Sequence, residues 1–425
     1  MSLLAWVSLI VFLAAFVFIS TEKINKTIVA LLGASFFIFM GIIDPEGAFS
    51  VIDWNVIFLL VSMMVIINIT KTTGLFEFVA IKTAKAVRGD PVKILVMLSI
   101  VTALFSSILD NVTTVLILSP VAILIATQLG ISPAPFIISM AIASNIGGTA
   151  TLIGDPPNIM IGSAANLDFI DFLINLGPVI ILVLIVMCIL TALLFHKQLK
   201  ASNEAKARIM DMEEKRALTD KPLMLKCIVV LVLVIAGFLT HNLLNVEAST
   251  VAMGGAALLL LLTRKKDIEP FLRDAEWGTI FFFVGLFILV GGVEKEGWIS
   301  KAASFIMNVT DGNIRFTSVI LVWVSGILSA VVDNIPYVAT MIPMVQQISG
   351  TVGTAAAEPL WWALALGACL GGNGTLIGAS ANVVSAGIAT RSGYPITFKD
   401  FTKYGALITV ISLFMCTGYV LIRYF

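Results

Sequence analysis

The chain has 425 residues, of which 59% are hydrophobic and 12% are charged, and its 26 basic residues balance its 26 acidic ones. Soluble proteins carry about twice that fraction of charged residues, so the composition excludes a soluble globular enzyme, a disordered chain and a disulfide scaffold. A net charge of zero gives no reason to expect a nucleic-acid partner. The composition therefore predicts an all-α polytopic protein embedded in the lipid bilayer.

Hydropathy divides the chain into twelve apolar elements. In chain order they cover 3–20, 27–43, 54–70, 92–127, 135–165, 173–196, 223–241, 248–263, 277–293, 314–349, 360–390 and 402–422. The runs 92–127, 135–165, 314–349 and 360–390 are interrupted, and each is longer than the roughly 20 residues that cross a bilayer as one helix. Residues 197–222, with seven basic and five acidic residues, form the only substantial hydrophilic linker.

The two halves of the chain share an internal repeat. At a shift of 223 or 224 residues the matched pairs include Trp54 and Trp277, Asp110 and Asp333, Asn111 and Asn334, Thr151 and Thr375, and Asn158 and Asn382. Chance matching of apolar residues would not place Trp, Asp-Asn, Thr and Asn in register. We therefore predict a first repeat over 1–196, a linker over 197–222 and a second repeat over 223–425.

Basic residues predict the orientation of the chain, because cytoplasmic loops are enriched in Lys and Arg. The linker 197–222 and the basic segment 71–93 should be cytoplasmic, whereas 44–53, which has no Lys or Arg, should lie outside. Its repeat equivalent, 264–276, has four basic residues and should lie inside. The repeats are then inverted, with both termini outside, in what we predict to be the inner membrane of a prokaryote.

An inverted repeat requires an odd number of crossings in each half. We predict about five transmembrane helices, one re-entrant helical hairpin and one broken helix per half. With the hairpins at 92–127 and 314–349 entering from opposite sides, this gives ten crossings and two hairpins. If each hairpin instead crosses the membrane fully, the count becomes fourteen and the termini stay on the same side.

Three Asp residues lie in apolar stretches that contain no Lys or Arg. Asp110 and Asp155 fall within 94–196, and Asp333 falls within 316–390. An ionisable group within a membrane costs roughly 2.5–3.5 kcal/mol on insertion scales, so these residues are functional candidates. Helix capping, for which Asp is favoured, is the structural alternative. Because Asp110 and Asp333 each precede an Asn midway through an over-long apolar run, we interpret them as hairpin tips that offer oxygen ligands.

Two Gly-rich segments, 147–158 and 371–382, interrupt the other long apolar runs. Broken helices at membrane depth line protein or a polar cavity, and their occurrence in both halves indicates the midplane site of a transporter. Packing of small residues between helices is the alternative for the glycines. The symmetry fails at Asp155, whose equivalent is Ala379, so we predict that Asp155 handles the proton or cation.

The predicted site combines the hairpin tips with the broken helices. Its solute- and ion-binding residues are Asp110, Asn111, Thr113, Thr151, Asp155, Asn158, Asp333, Asn334, Asn373, Thr375 and Asn382. A sodium ion would bind among Asp110, Asn111, Asn158, Asp333, Asn334 and Asn382. No cofactor other than bound Na⁺ or H⁺ is predicted.

The motifs at this site resemble those of a known family. Asp-Asn-Val-Thr-Thr at 110–114, Thr-Leu-Ile-Gly-Asp-Pro-Pro-Asn at 151–158 and Asp-Asn-Ile-Pro at 333–336 resemble the arsenite-permease/NhaD-type antiporter family of the ion transporter superfamily, particularly its P-protein-like branch. The resemblance covers essentially the whole chain. It implies an inverted-repeat fold with two re-entrant hairpins, and a homodimer in which an elevator-like domain moves against a scaffold. The dicarboxylate branch typically has Ser-Asn-Thr at the hairpin tips, which disfavours sodium–dicarboxylate transport here.

These observations predict a secondary active transporter for a small inorganic solute, coupled to a proton or sodium gradient. The resemblance favours arsenite or antimonite efflux, and the alternative is a Na⁺/H⁺ antiporter that uses the same aspartates as cation and proton ligands. A sodium-coupled carboxylate transporter, an anion channel and a membrane enzyme with an Asp110–Asp333 dyad are less favoured. Because the chain has no GxxxxGK[ST] motif, ATP use would need a separate ATPase subunit. Three acidic groups without a basic one would disfavour a simple anion carrier.

Overall fold

The computed structural model describes residues 2–21, 23–241, 245–265 and 267–425, and within these residues helices are the only regular secondary structure. The first half contains α1 (Leu3–Thr21), α2 (Lys26–Phe39), α3 (Pro45–Ser50), α4 (Trp54–Lys71), α5 (Leu75–Ala86), α6 (Pro91–Ser106), α7 (Asn111–Leu129), α8 (Ala134–Thr149), α9 (Pro156–Ala165) and α10 (Phe169–Phe195). The linker contains α11 (Asn203–Met210) and a 3-10 turn (Glu214–Ala217).

The second half has the same series of helices. They are α12 (Lys221–Thr240), α13 (Ala248–Thr263), α14 (Glu269–Arg273), α15 (Trp277–Lys295), α16 (Trp298–Val309), α17 (Ile314–Ser329), α18 (Asn334–Val352), α19 (Thr354–Gly371), α20 (Ser380–Arg391) and α21 (Phe398–Tyr424), with a 3-10 turn at Gly372–Gly374. Paired in order, the helices of the two halves differ in length by at most two residues. The inverted relation of the halves, and their boundaries, stay predictions, and Lys266, one of the basic residues used to orient the chain, lies outside the described residues.

The helices confirm a polytopic membrane protein. In the described part of the chain, α1, α4, α7, α10, α12, α15 and α21 are each long and apolar enough to span a bilayer. The pair α16–α17, bent by 118°, would add an eighth span, and α2, α6, α8 and α13 are shorter apolar helices. The totals of ten or fourteen crossings therefore stay predictions.

The predicted interruptions occur at the predicted residues. The run 92–127 divides into α6 and α7 before Asn111, and the run 314–349 divides into α17 and α18 before Asn334. Asp110 and Asp333 are the N-cap residues of α7 and α18, so the capping alternative is also correct for both. The Gly-rich segments separate α8 from α9 and α19 from α20.

Two helices that hydropathy does not identify, α5 and α16, follow α4 and α15 after sharp turns. Gly74 and Gly297 precede them with φ of +74° and +79°, a left-handed conformation that a side chain disfavours. Because α5 carries Glu77, Lys82 and Lys85 among its apolar residues, it has no continuous apolar run. Each of the two helices directly precedes the first helix of a hairpin, α6 or α17.

The linker packs against the first half near the end of α4. The backbone N–H of Thr219 donates to the carbonyl of Thr73 at 3.1 Å, and Lys85 Nζ donates to Glu214 Oε2 at 2.7 Å. That hydrogen bond lowers the pKa of the Glu214 carboxyl. The linker and segment 71–93 therefore lie on the same face of the molecule.

Close approach of α6 and α8 predicts a stability effect. A Cβ on Gly147 would lie 2.1 Å from the carbonyl oxygen of Ala103, whereas a Cβ on Gly254 would have no neighbour within 4 Å. We expect Gly147→Ala to destabilise the protein by about 1–3 kcal/mol or more through overpacking. The control Gly254→Ala should be neutral or stabilise α13 by roughly 0.5–1 kcal/mol. Thermal unfolding of the two purified variants compares them, and equal midpoints would contradict this packing.

Candidate functional site

Asp155 lies where the two hairpin tips meet. Its carboxylate accepts a hydrogen bond from Asn334 Nδ2, 3.1 Å from Oδ2, and another from Asn111 Nδ2, 3.3 Å from Oδ1. The residue is 1% exposed, and its side chain makes no capping hydrogen bond although it precedes α9. One Asn from each half therefore holds the carboxylate that has no equivalent in the second repeat.

Asp110 forms the first hairpin tip. Its Oδ1 accepts a hydrogen bond from the backbone N–H of Thr113 at 2.7 Å, which fixes the carboxylate at the start of α7. Thr113 thus contributes its backbone, and its side chain is buried. No ion pair to Asp110 occurs within the described ranges. In place of a paired cation, Asp110 faces a cavity.

Asp333, at the second tip, has a basic partner that lies outside the apolar stretches around the site. Lys26 Nζ, at the start of α2, lies 2.8 Å from Asp333 Oδ2 and donates to Ser380 Oγ at 2.9 Å. Ser380 Oγ in turn donates to the same carboxylate oxygen at 2.8 Å. The expectation of a site without a basic group was therefore wrong. Lys26 comes from a helix 307 residues away in sequence, so it lies outside the apolar stretches that contain the three Asp residues.

Asn158 and Asn382, which the repeat relates to each other, stabilise the helix breaks. Asn158 Nδ2 donates to three backbone carbonyls, of which that of Thr151, at 2.9 Å, is nearest. Asn382 Nδ2 makes the same kind of contacts, with the carbonyls of Gly372 at 2.9 Å and Thr375 at 3.0 Å. These bonds satisfy carbonyls that the helix ladder no longer pairs.

Thr151 and Thr375 attach each break to a hairpin. Thr151 Oγ1 donates to the carbonyl of Ser107 at 2.6 Å, and Thr375 Oγ1 donates to the carbonyl of Ala330. Both carbonyls belong to the C-cap residue that follows the first helix of a hairpin, where carbonyls have no helical partner. The hydroxyls therefore position the tips.

Asn145, on α8, is a site residue that sequence reasoning missed. It is fully buried, and its Nδ2 donates to Asn373 Oδ1 at 2.9 Å and Asn382 Oδ1 at 3.0 Å. Its own Oδ1 accepts from Asn111 Nδ2 at 3.1 Å. Asn145 thus connects the second half's broken helix to the amide that contacts Asp155.

A cavity of about 410 Å³ gives access to these groups. Its polar lining includes Lys26, Asp110, Asn111, Asp155, Glu276 and Asn334. Glu276, the last residue of the segment 264–276, lines the cavity just before α15 begins.

The predicted residues thus fall into two sets. Those that line the cavity are Asp110, Asn111, Asp155 and Asn334, with Asp333 behind Lys26. The others do not line the cavity but make hydrogen bonds at the helix breaks and hairpin tips. They are Thr113, Thr151, Asn158, Asn373, Thr375 and Asn382. Among the described residues no hydrogen bond joins Asp110 to Asp333, the contact that an aspartyl dyad would need. Along this cavity the carboxylates of Asp110, Asp155 and Glu276 outnumber the one ammonium group, that of Lys26.

Comparisons with known proteins identify the family. The chain matches the family described as "CitMHS: Citrate transporter" over residues 16–367. It is 43% identical to the "uncharacterized transporter Rv2684" of Mycobacterium tuberculosis over 99% of this chain and 98% of that one. It is 31% identical to the P protein of Sus scrofa over 98% of this chain and 59% of that protein. The chain therefore belongs to the citrate transporter family of the ion transporter superfamily, with P-protein homologues; the narrower arsenite-permease/NhaD placement stays a prediction.

One solved structure has a similar fold. The YdaH transporter of Alcanivorax borkumensis aligns with a TM-score of 0.57 over 86% of this chain and 84% of that one, at 12% sequence identity. At that identity the likeness concerns the fold alone. It agrees with the all-helical polytopic architecture that the composition predicted.

Proposed function

We propose that this member of the citrate transporter family is a secondary active carrier that exchanges a small inorganic cation for protons, with Asp155 as the shared ligand. The observation that carries the proposal is the Asp155 carboxylate, buried between one Asn of each half and open to the cavity. A buried carboxylate with amide neighbours can bind either Na⁺ or a proton, and cannot bind both at once.

Charge at the site supports a cation over a free anion. Asp110, Asp155 and Glu276 line the cavity, and Lys26, the ammonium that lines it, is paired with Asp333. A small anion entering this cavity would meet uncompensated carboxylates at short range, which is unfavourable in a low-dielectric environment. With the segment 264–276 in the cytoplasm, as predicted, Glu276 would lie on the cytoplasmic side of the cavity.

Arsenite or antimonite efflux remains a prediction for the solute. Neutral arsenite could accept and donate hydrogen bonds at Asn111, Asn334 and Asp155 without a cationic site. A carboxylate is the second candidate, which the family description and Lys26 favour, provided that cations bind with it. A homodimer, a separate ATPase subunit, the outside location of both termini and the absence of enzymatic activity are likewise proposed.

Uptake by the purified full chain in liposomes tests these assignments. We expect ²²Na⁺ to enter liposomes that are acidic inside and to saturate with concentration, because outward proton flow drives exchange at one site. Parallel assays with arsenite and citrate, under imposed pH and sodium gradients, test the other solutes. Uptake of arsenite or citrate without sodium uptake would reject the proposed exchange, and unitary currents would indicate a channel.

A further inference from the structure

The ammonium of Lys26 has the surroundings of a bound cation. Its Nζ lies 2.8 Å from Asp333 Oδ2, 2.9 Å from Ser380 Oγ and 5.1 Å from the centre of the Phe282 ring. A carboxylate, a hydroxyl and an aromatic face are together a set of ligands for a monovalent cation. The side chains of Lys26 and Asp333 are 28% and 10% exposed, and Lys26 lines the cavity with Asp333 behind it.

The equivalent position in the other half is built differently. Helix α13, the counterpart of α2, begins with Ala248, and Pro156 stands where the second half has Ser380. The first tip therefore has neither the ammonium nor the hydroxyl. Of the two carboxylates related by the repeat, that of Asp110 faces the cavity, whereas that of Asp333 is neutralised by Lys26.

The Lys26–Asp333 pair also joins two groups of helices. Helix α2 packs against α1 and α15, and α18, which Asp333 caps, packs against α19, α9 and α16 and also contacts α15. The other three ion pairs among the described residues connect α5 to the linker, residues within the linker, and α15 to the start of α3. Lys26 is thus placed to hold the second hairpin tip against the α1–α2–α15 group.

We propose that Lys26 is a tethered competitor for the cation site at Asp333, and that an incoming monovalent cation must displace it. Two positive charges cannot share one carboxylate at contact distance without strong repulsion, so the ion pair and the bound cation exclude each other. Displacement exchanges one positive charge for another at Asp333 and releases the tip from α2. Without a bound ion, the Lys26–Asp333 pair stays formed and holds the second hairpin tip against α2. This prevents movement of the empty carrier, a consequence that rests on the proposed function.

Thermal stability measured against NaCl tests the competition without any transport. In the purified chain, with choline chloride keeping the ionic strength constant, a cation that binds the folded state raises the melting temperature. We expect Lys26→Met to need about tenfold less Na⁺ than the wild type for the same rise, because the competitor is gone. Lys26→Arg, which keeps the charge, should need about as much as the wild type.

A charge-neutral pair of substitutions provides the background. Lys26→Met with Asp333→Asn removes both charges, so it leaves no unpaired carboxylate, and it should lose the added response to Na⁺. The same titration is made with Li⁺ and K⁺. If the melting temperatures of the wild type, Lys26→Met and the double variant depend equally on the concentration of each cation, the proposal is overturned. If the single variant does not fold, Lys26→Gln replaces it in the same comparison. Because this readout needs no flux, a wild type that transports no sodium would reject the proposed function while leaving the competition measurable.

Discussion

Asp155→Asn is expected to reduce coupled transport by about 100-fold or more, which corresponds to roughly 2.7 kcal/mol at 1.36 kcal/mol for each factor of ten. The substitution removes the charge that would bind the cation or the proton. It also places an amide NH₂ near the Nδ2 groups of Asn111 and Asn334, which donate to the present carboxylate. Initial rates of ²²Na⁺ uptake into liposomes, normalised to the amount of reconstituted protein, measure the effect.

Asp90→Asn is the matched control for Asp155→Asn. Asp90 caps α6 by accepting a hydrogen bond from the backbone N–H of Lys93 at 3.0 Å, and Asn caps helices about as well as Asp. The same chemical change should therefore leave transport near the wild-type rate. Asp110→Asn and Asp333→Asn should also reduce coupled flux while the protein is still produced. Wild-type rates in all three site variants would contradict the site assignment.

Asn158→Ala and Asn382→Ala are each expected to destabilise the protein by about 2–4 kcal/mol, since each leaves buried carbonyls without a donor. Asn158 Nδ2 donates to three carbonyls and Asn382 Nδ2 to two. No water is available at membrane depth to replace these bonds. Thermal unfolding in detergent measures the loss.

Asn308→Ala tests whether the effect belongs to the helix breaks. Asn308 is exposed on α16, so its truncation should change the melting temperature little. Midpoints for Asn158→Ala and Asn382→Ala equal to that of Asn308→Ala would show that the amides do not stabilise the breaks. The ion-binding role predicted for the two Asn residues is a separate question, which their flux relative to folded protein addresses.

The repeat explains why much of the site could be predicted. Asp110 with Asn111, and Asp333 with Asn334, are polar pairs within apolar runs, and the break that they predict at each hairpin is present. The glycine-rich segments predict the breaks between α8 and α9 and between α19 and α20, because glycine and proline end helices. Asp155 is identified as a one-sided feature, because the equivalent position in the second repeat is Ala379, which has no carboxylate.

Residues outside the repeat's symmetry could not be found in this way. Asn145 occurs near the C-terminal end of apolar α8, and its equivalent is Cys369, so no matched polar pair indicates it. The structure gives the two residues related contacts: Asn145 reaches Asn382, and Cys369 Sγ donates to Asn158 Oδ1 at 3.5 Å. A comparison of the repeats that allowed a polar residue to match a thiol would have detected the position.

Lys26 was missed for a different physical reason. Near the end of an apolar run, a lysine is normally explained by the membrane interface, to which its ammonium extends. Here α2 has only 14 residues, about 21 Å at 1.5 Å per residue, so it is shorter than the hydrocarbon core. Its first residue can therefore lie at the depth of the hairpin tip. Helix length, which hydropathy overestimated at 27–43, was the missing information.

The most direct test of the central claim is reciprocal exchange in one set of liposomes. If Asp155 binds Na⁺ and H⁺ in turn, an imposed sodium gradient should change the internal pH, and an imposed pH gradient should drive ²²Na⁺ uptake. Asp155→Asn should abolish both movements, and Asp90→Asn should retain both. Sodium uptake by the wild type with no change in internal pH, or equal exchange by wild type and Asp155→Asn, would contradict the account.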